Sequence, residues 1–392
     1  MRVLGMISGT SHDGIDAALV ELDLREEVLH GAVLHTATMP YEADLRNHLL
    51  RTLPPAELRF VDVCRLDTLI GQAFAEVAAA AIARAGPVDL ICSHGQTVYH
   101  WVDGQRALGT LQLGQPAWIA ERTGVPVVAD VRIRDITAGG QGAPLVSQMD
   151  TLLLADLPGN PAALNLGGIA NMTVLRGPRG PFAYDIGPAN ALIDAAVVSS
   201  GGGTLGYDED GRLAAAGRID AGLLAELLRE PFYALPAPKT TGKELFNAAY
   251  LQAALARRSG LRTPDLVATV TALTAETVAA EVRRHGVDGL VVSGGGCANP
   301  TLMAMLRERL PGVTVRPSTE LGAPTDAKEA IAFALIGWHT VHGLSSVVPG
   351  CTGARAARIL GAIVPGAGPL RLPEPLARPP RALRLSPSST DG

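Results

Sequence analysis

The sequence predicts an α/β chain of two lobes built on one plan. Three observations predict it. Apolar residues make up 47% of the 392 residues, yet aromatics only 4%. A core of Ala, Val, Leu and Ile suits helices packed on buried parallel strands. The length exceeds one ordinary domain of roughly 150 residues. Finally, the chain opens twice in the same way, near residue 3 and near residue 162, with strand, glycine turn, return strand and then alternating helices and strands. No literal repeat is visible, so the parallel is architectural.

In the first half, strands are expected at Val3 to Ile7, Ile15 to Leu22 and Val28 to Met39, with Ser8 to Gly14 as the first turn. Helical patterning covers Tyr41 to Thr52 and Ala56 to Ala85. Buried strands follow at Val88 to Cys92 and Val125 to Ala129, with a helix at Gln115 to Arg122 between them. The second half has strands at Ala162 to Leu166, Asn171 to Leu175 and Phe182 to Ile186, then a helix at Ala189 to Val198. Later come a helix at Asp265 to Arg284, a strand at Gly289 to Ser293, and helices after Asn299 and at Asp326 to Val341. These divide the chain into a first lobe (1–150), a second lobe (151–372), and a Pro/Arg/Ser-rich tail (373–392) expected to be disordered. The last helices are candidates for crossing back to the first lobe.

Composition excludes several functions. The net charge of −5 leaves no basic excess for a nucleic-acid backbone. Cys64, Cys92, Cys297 and Cys351 are far apart and lack metal-site or disulfide-framework spacing. No apolar run approaches the ~20 residues of a membrane span, and no leader pattern is visible. A cytoplasmic protein without membrane or nucleic-acid partners is expected.

Three glycine-rich strand ends can hold a nucleotide. Gly9, Thr10, Ser11, His12, Asp13, Gly14, Ile15 and Asp16 form the first. Hydroxyls and backbone N–H groups there can wrap phosphate oxygens, and Asp13 or Asp16 can hold Mg²⁺ through water. The same residues also read as a plain hairpin turn. The loop lacks the Gly-Lys-Ser/Thr ending of a Walker A motif. Gly167 and Gly168 end the first strand of the second half, and Gly187 ends its third. Gly294, Gly295 and Gly296, with Asn299, follow a buried strand and offer a flat floor for adenine or ribose.

This trio resembles the phosphate-1, phosphate-2 and adenosine motifs of the sugar kinase/heat-shock protein 70/actin superfamily. That resemblance implies a two-lobed actin-like ATPase fold, each lobe a mixed five-stranded sheet flanked by helices and closing on ATP and Mg²⁺.

A fourth segment, Ala129 to Leu145, sets Asp135 before Gly139-Gly140-Gln141-Gly142. A carboxylate beside a glycine run can serve as a general base, and Arg132 and Arg134 can keep it ionised. This segment closely resembles the anhydro-N-acetylmuramic acid kinases, as do Ser93-His94-Gly95-Gln96-Thr97, Gly109 to Gly114, Ala120 to Gly124, Pro238 to Asn247, Lys328 to Ala334 and Thr352-Gly353-Ala354. The resemblance runs from Gly5 to about Pro365. It implies conversion of 1,6-anhydro-N-acetylmuramic acid, ATP and water to N-acetylmuramate 6-phosphate and ADP in cell-wall recycling. It also implies Asp135 as catalytic base, Glu329 facing the sugar, and His94, Gln96 and Thr97 shaping the substrate side. A homodimer is compatible with the family habit.

The chain departs from the pattern at His12, at Val131 and Ile133, at Gly350-Cys351, and at Ala189, where a glycine is expected and a positive φ would cost alanine roughly 1 kcal/mol or more. Two other readings stay open: a kinase for another anhydrosugar such as levoglucosan, and a nucleotide-binding switch without sugar chemistry.

Overall fold

The computed structural model describes residues 1–9, 11–53, 55–104, 106–199, 206–242, 244–256, 258 and 260–386. The chain forms two compact units. One comprises Met1–Asp156 together with the chain from Thr319 onward, the other Leu157–Ser318.

The first unit holds an eight-stranded sheet. Its strands are β1 (Arg2–Ser8), β2 (Gly14–Arg25), β3 (Val28–Pro40), β4 (Leu90–Asp103), β5 (Arg106–Leu113), β6 (Val127–Ala129), β12 (Ala362–Val364) and β13 (Ala382–Ser386). The order is β12-β6-β4-β1-β2-β3-β13, with β5 hairpinned onto β4. The second unit has five strands: β7 (Pro161–Leu166), β8 (Ile169–Val174), β9 (Phe182–Pro188), β10 (Gly289–Ser293) and β11 (Thr314–Pro317), ordered β11-β10-β7-β8-β9.

The two sheets share one topology. In the first, β1 pairs antiparallel with β2, β2 antiparallel with β3, β1 parallel with β4, and β4 parallel with β6. In the second, β7, β8, β9, β10 and β11 repeat those pairings in the same order. The architectural parallel read from the sequence is therefore real. The expectation of five strands in each lobe holds for the second unit alone, because β5, β12 and β13 extend the first.

Alternation along β1 serves both faces of its sheet. Leu4 and Met6 join a cluster with Ile70, Phe74 and Ala78 of the helix Phe60–Ala85. Val3 and Ile7 join the opposite cluster with Ile331, Phe333 and Leu335 of the helix Lys328–Val341. Gly5 lies on that second face. A Cβ there would sit 2.0 Å from the Ala330 carbonyl oxygen, so only glycine lets helix backbone rest directly on the strand. This close packing brings the chain from Thr319 back to the first unit, as the sequence reading allowed for its last helices, although the division drawn there kept residues up to 372 in the second.

Two further expectations change. Where a disordered tail was expected from Pro373, Ala382 to Ser386 pairs parallel with Val28 to Ala32, burying Leu383 and Leu385. Asp156 accepts hydrogen bonds from Arg381 and Arg384 and fastens that strand. Contrary to the expectation that no segment is apolar enough for a span, Phe60–Ala85 is long and apolar enough by length and composition to cross a membrane. Its Leu66, Ile70, Phe74 and Ala81 are buried within the unit.

In the second unit, the helix Thr263–Arg284 is buried for most of its length. It carries Thr269, Thr271, Thr274 and Thr277 at 4% exposure or less. Each hydroxyl donates to the carbonyl four residues earlier, which makes these polar groups tolerable in a core.

His339 has no exposed surface and its ring Nδ1 bonds the Ser345 carbonyl, while Nε2 has no partner among the described residues. Burial lowers its pKa to about 4. The unfolded chain binds this proton near pH 6.5 and the fold does not. The stabilising effect is therefore complete above about pH 6.5 and is lost as pH falls towards 4, by roughly 3 kcal/mol. Urea titrations of the native chain and of His339→Asn across that range should show a smaller pH dependence in the variant.

Candidate active site

The site-forming turns lie at the carboxyl ends of the parallel strands, where open α/β sheets bind ligands. In the first unit, the β1–β2 turn is laced to β4. Ser8 Oγ lies 2.6 Å from both the Gly14 carbonyl and Gln96 Oε1, and Gln96 Nε2 donates to the Gly9 carbonyl at 3.0 Å. Gln96 is fully buried. Its amide is spent on shaping the turn. Thr97 Oγ1 accepts from Gln112 Nε2. His12 adopts φ 55°, an uncommon left-handed conformation, and its carbonyl accepts from Arg46 Nε. Gly9, Ser11 and Asp13 lie in the turn, and Gly14, Ile15 and Asp16 open β2. Thr10 lies outside the described residues.

His94 is also buried, its ring 4.7 Å from that of Phe333. Arg132 Nε donates to Nε2 at 2.7 Å, so Nδ1 carries the proton and donates to the Gly95 carbonyl at 2.9 Å. Burial and the Arg132 charge hold its pKa well below the usual range. With both nitrogens engaged, this neutral imidazole orients Arg132 and has no polar atom left for a sugar. Glu329, at the start of the helix Lys328–Val341, is different. None of its oxygens has a hydrogen-bond partner among the described residues. Burial raises its pKa, the Arg132 charge opposes this, and Asp16 adds to it.

Asp135 occupies a closed position. It has no exposed surface. Thr352 Oγ1 donates to Oδ1 at 2.7 Å, and the Gly142 amide donates to Oδ2 at 2.7 Å. Arg132 grips the Gly142 carbonyl at 2.6 Å, and the Gln141 amide donates to the Thr352 carbonyl at 2.8 Å. A Cβ at Gly140 would lie 2.2 Å from Asp135 Oδ2. The Gly139–Gly142 run is thus wrapped around the carboxylate. Burial raises its pKa, against the Thr352 and Gly142 bonds and Arg132. A base needs an oxygen within reach of the proton it takes. Asp135 offers the geometry of a loop anchor, with both of its oxygens engaged.

In the second unit, three turns meet at one sheet end. The Gly167 and Gly168 carbonyls accept from the Ala189, Asn190 and Ala191 amides and cap the helix Asn190–Ser199. Gly294 has φ 87°, and a Cβ there would sit 2.4 Å from Asn165 Oδ1. A Cβ on Gly187 would sit 2.8 Å from the Tyr233 ring. Gly295 and Gly296 continue into a turn, and Asn299 caps the helix Pro300–Arg309 through its Oδ1, 2.9 Å from the Leu302 amide. Ala189 is not among the residues with positive φ, so the strain anticipated for it does not arise.

Asp185, on β9 just before Gly187, is the carboxylate that sequence reasoning passes over as part of a glycine turn. Its Oδ2 accepts from Thr240 Oγ1 at 2.8 Å and from the Thr241 amide at 3.0 Å. Its Oδ1 has no hydrogen-bond partner among the described residues, and the residue is half-buried. Burial raises its pKa; the Thr241 and Thr240 bonds lower it and Glu244 raises it. The only sequence signal is an acidic residue closing a buried strand at a Gly-Pro turn.

Two sheets of one topology, each with glycine turns at its carboxyl ends, define the actin-like ATPase fold used by sugar kinases. A family model described as anhydro-N-acetylmuramic acid kinase matches residues 1–366. The chain belongs to that family. The anhydro-N-acetylmuramic acid kinase of Streptomyces coelicolor is 56% identical over 387 residues, covering 98% of this chain and 99% of its own length. That of Rhodococcus erythropolis is 50% identical over 394 residues, covering 98% and 99%. Among solved structures, a xylulose kinase from Rhodospirillum rubrum matches at TM-score 0.44 and 13% identity, covering 86% of this chain and 90% of that one.

Proposed function

We propose that the chain is an ATP-dependent kinase that opens the 1,6-anhydro ring of 1,6-anhydro-N-acetylmuramic acid with water and phosphorylates O6, in cell-wall recycling. Asp185 is the general base of this reading. The observation that carries it is the division of labour on that carboxylate, with Oδ2 clamped by Thr240 and Thr241 and Oδ1 left open. Oδ1 takes a proton from water as the water oxygen bonds to the anomeric carbon. The C1–O6 bond breaks, its electron pair passes to O6, and O6 attacks the γ-phosphorus of ATP. The bridging bond to the β-phosphate breaks and ADP leaves.

Glu329, with unspent oxygens and a raised pKa, hydrogen-bonds the sugar. Backbone amides of the glycine turns contact ATP, since N–H groups bind phosphate without net positive charge. Among the described residues no cluster of three ligating side chains exists. Mg²⁺ keeps several waters and takes one or two carboxylates besides phosphates. Asp13 and Asp16 would hold it, each with one oxygen on a neighbouring hydroxyl, Ser11 and Thr38. Mg²⁺ supplies neutralisation of phosphate charge.

The test is a substrate panel scored by product mass. Purified chain with ATP, Mg²⁺ and the anhydro-muramic sugar should yield ADP and the 6-phosphosugar in equal amounts. Faster turnover of levoglucosan would reassign the sugar. ATP hydrolysis indifferent to every anhydrosugar would sink the kinase reading.

A further inference from the structure

The Pro238 to Asn247 segment supplies the Thr240 and Thr241 bonds to Asp185, and it also carries a second, buried set of contacts. Its start is bolted into the core of the second unit. Lys239 Nζ donates to Glu281 Oε1 at 3.1 Å and to the Tyr233 and Phe232 carbonyls at 3.1 and 3.3 Å, with side chains 2% and 4% exposed for the ion pair. The ammonium also lies 4.9 Å from the Phe232 ring centre. Tyr184 donates its hydroxyl to the other Glu281 oxygen at 3.0 Å. Tyr184 and Lys239 therefore meet on one buried carboxylate. Each is a direct neighbour of the Asp185 clamp: Tyr184 precedes Asp185, and Lys239 precedes Thr240. The Asp185 amide closes the circuit by donating to the Lys239 carbonyl at 2.9 Å.

We propose that Thr240 is a positioning residue: held by the buried Lys239–Glu281–Tyr184 cluster, its hydroxyl fixes Asp185 Oδ2 so that Oδ1 faces the reacting water as an ionised base. This rests on the reading of Asp185 as base. The chemistry asks for it. A carboxylate in a desolvated place drifts towards its neutral form, which cannot take a proton, and a donated hydrogen bond restores the charged form. Glu244 pushes in the same unfavourable direction as burial. On the helix Thr263–Arg284, Glu281 is engaged with Lys239 and bonded by Arg284, and His285 lies 3.7 Å from its other oxygen. Among the described residues the Thr240 hydroxyl and the Thr241 amide favour ionisation, and of these only the hydroxyl can be removed by substitution.

Thr240 is exposed at the surface, so Thr240→Val is compatible with folding. The pH profile of kcat/KM with the anhydrosugar is measured for the native chain, Thr240→Val, Thr240→Ser and Asp185→Asn. Removing a donor raises the Asp185 pKa. The acid limb of Thr240→Val should therefore move up by about one pH unit, with rates roughly tenfold lower on that limb and the native midpoint of thermal unfolding retained. Thr240→Ser should restore the native profile. An unshifted acid limb in Thr240→Val, with Asp185→Asn inactive, overturns the role of Thr240 and leaves the base standing. Near-native turnover in Asp185→Asn overturns the base itself.

Discussion

Asp185→Asn should fold, bind ATP and lose turnover by about 10²–10⁴-fold, the range over which a positioned base acts. The amide keeps the shape and can still accept from Thr240 and Thr241 through its oxygen. It cannot take a proton from water at Oδ1, so the loss belongs in kcat. Asp135→Asn makes the contrasting case. Its oxygens serve Thr352 and the Gly142 amide, and the oxygen of asparagine can satisfy only one of them. That variant should lose stability and nucleotide-independent loop order first, with any surviving folded enzyme turning over. Steady-state kinetics beside thermal unfolding, run on both variants, separates the two carboxylates. Equal kcat loss in both, with unchanged melting, would return Asp135 to the chemistry.

The second large effect is on stability. Glu281→Leu removes the carboxylate that receives Lys239, Tyr184 and Arg284. An ammonium left in a nearly closed pocket beside the Phe232 ring has two carbonyls and no counter-charge. Breaking one partner of a buried pair costs about 3–5 kcal/mol. For a unit of this size that lowers the unfolding midpoint by on the order of 10 °C. Lys239→Met combined with Glu281→Leu removes both charges and should recover much of the loss in calorimetry. The double variant should nevertheless remain slow, because the clamp on Asp185 has lost its anchor.

The shared sheet topology was legible because its signals are local: glycines ending aliphatic runs, twice, in the same order. Which carboxylate keeps an unspent oxygen was not. Asp135 sits beside the most distinctive glycine run in the sequence, and that proximity suggested chemistry. Its partner Thr352 lies 217 positions away, and it is this distant hydroxyl that uses up one oxygen. Asp185 owes its divided carboxylate to Thr240, 55 positions on. Which oxygen of a carboxylate is spent is a tertiary fact, and residue type does not disclose it. For His94 and Gln96 the same holds: their side-chain nitrogens and oxygens are engaged inside the chain, which the motif alone does not disclose. The tail failed for another reason. Proline and arginine content outweighed the short alternation Ala382-Leu383-Arg384-Leu385, and four residues of pattern carry little weight until β3 supplies the partner.

That last strand has a practical meaning for anyone cutting or tagging the chain. A truncation ending before Arg381 would bare the hydrogen-bonding rim of Val28 to Ala32, an open strand rim of the kind that recruits other chains into aggregates. It would also leave Asp156, where the first unit hands over to the second, without its two arginines. A fusion appended beyond Ser386 spares both.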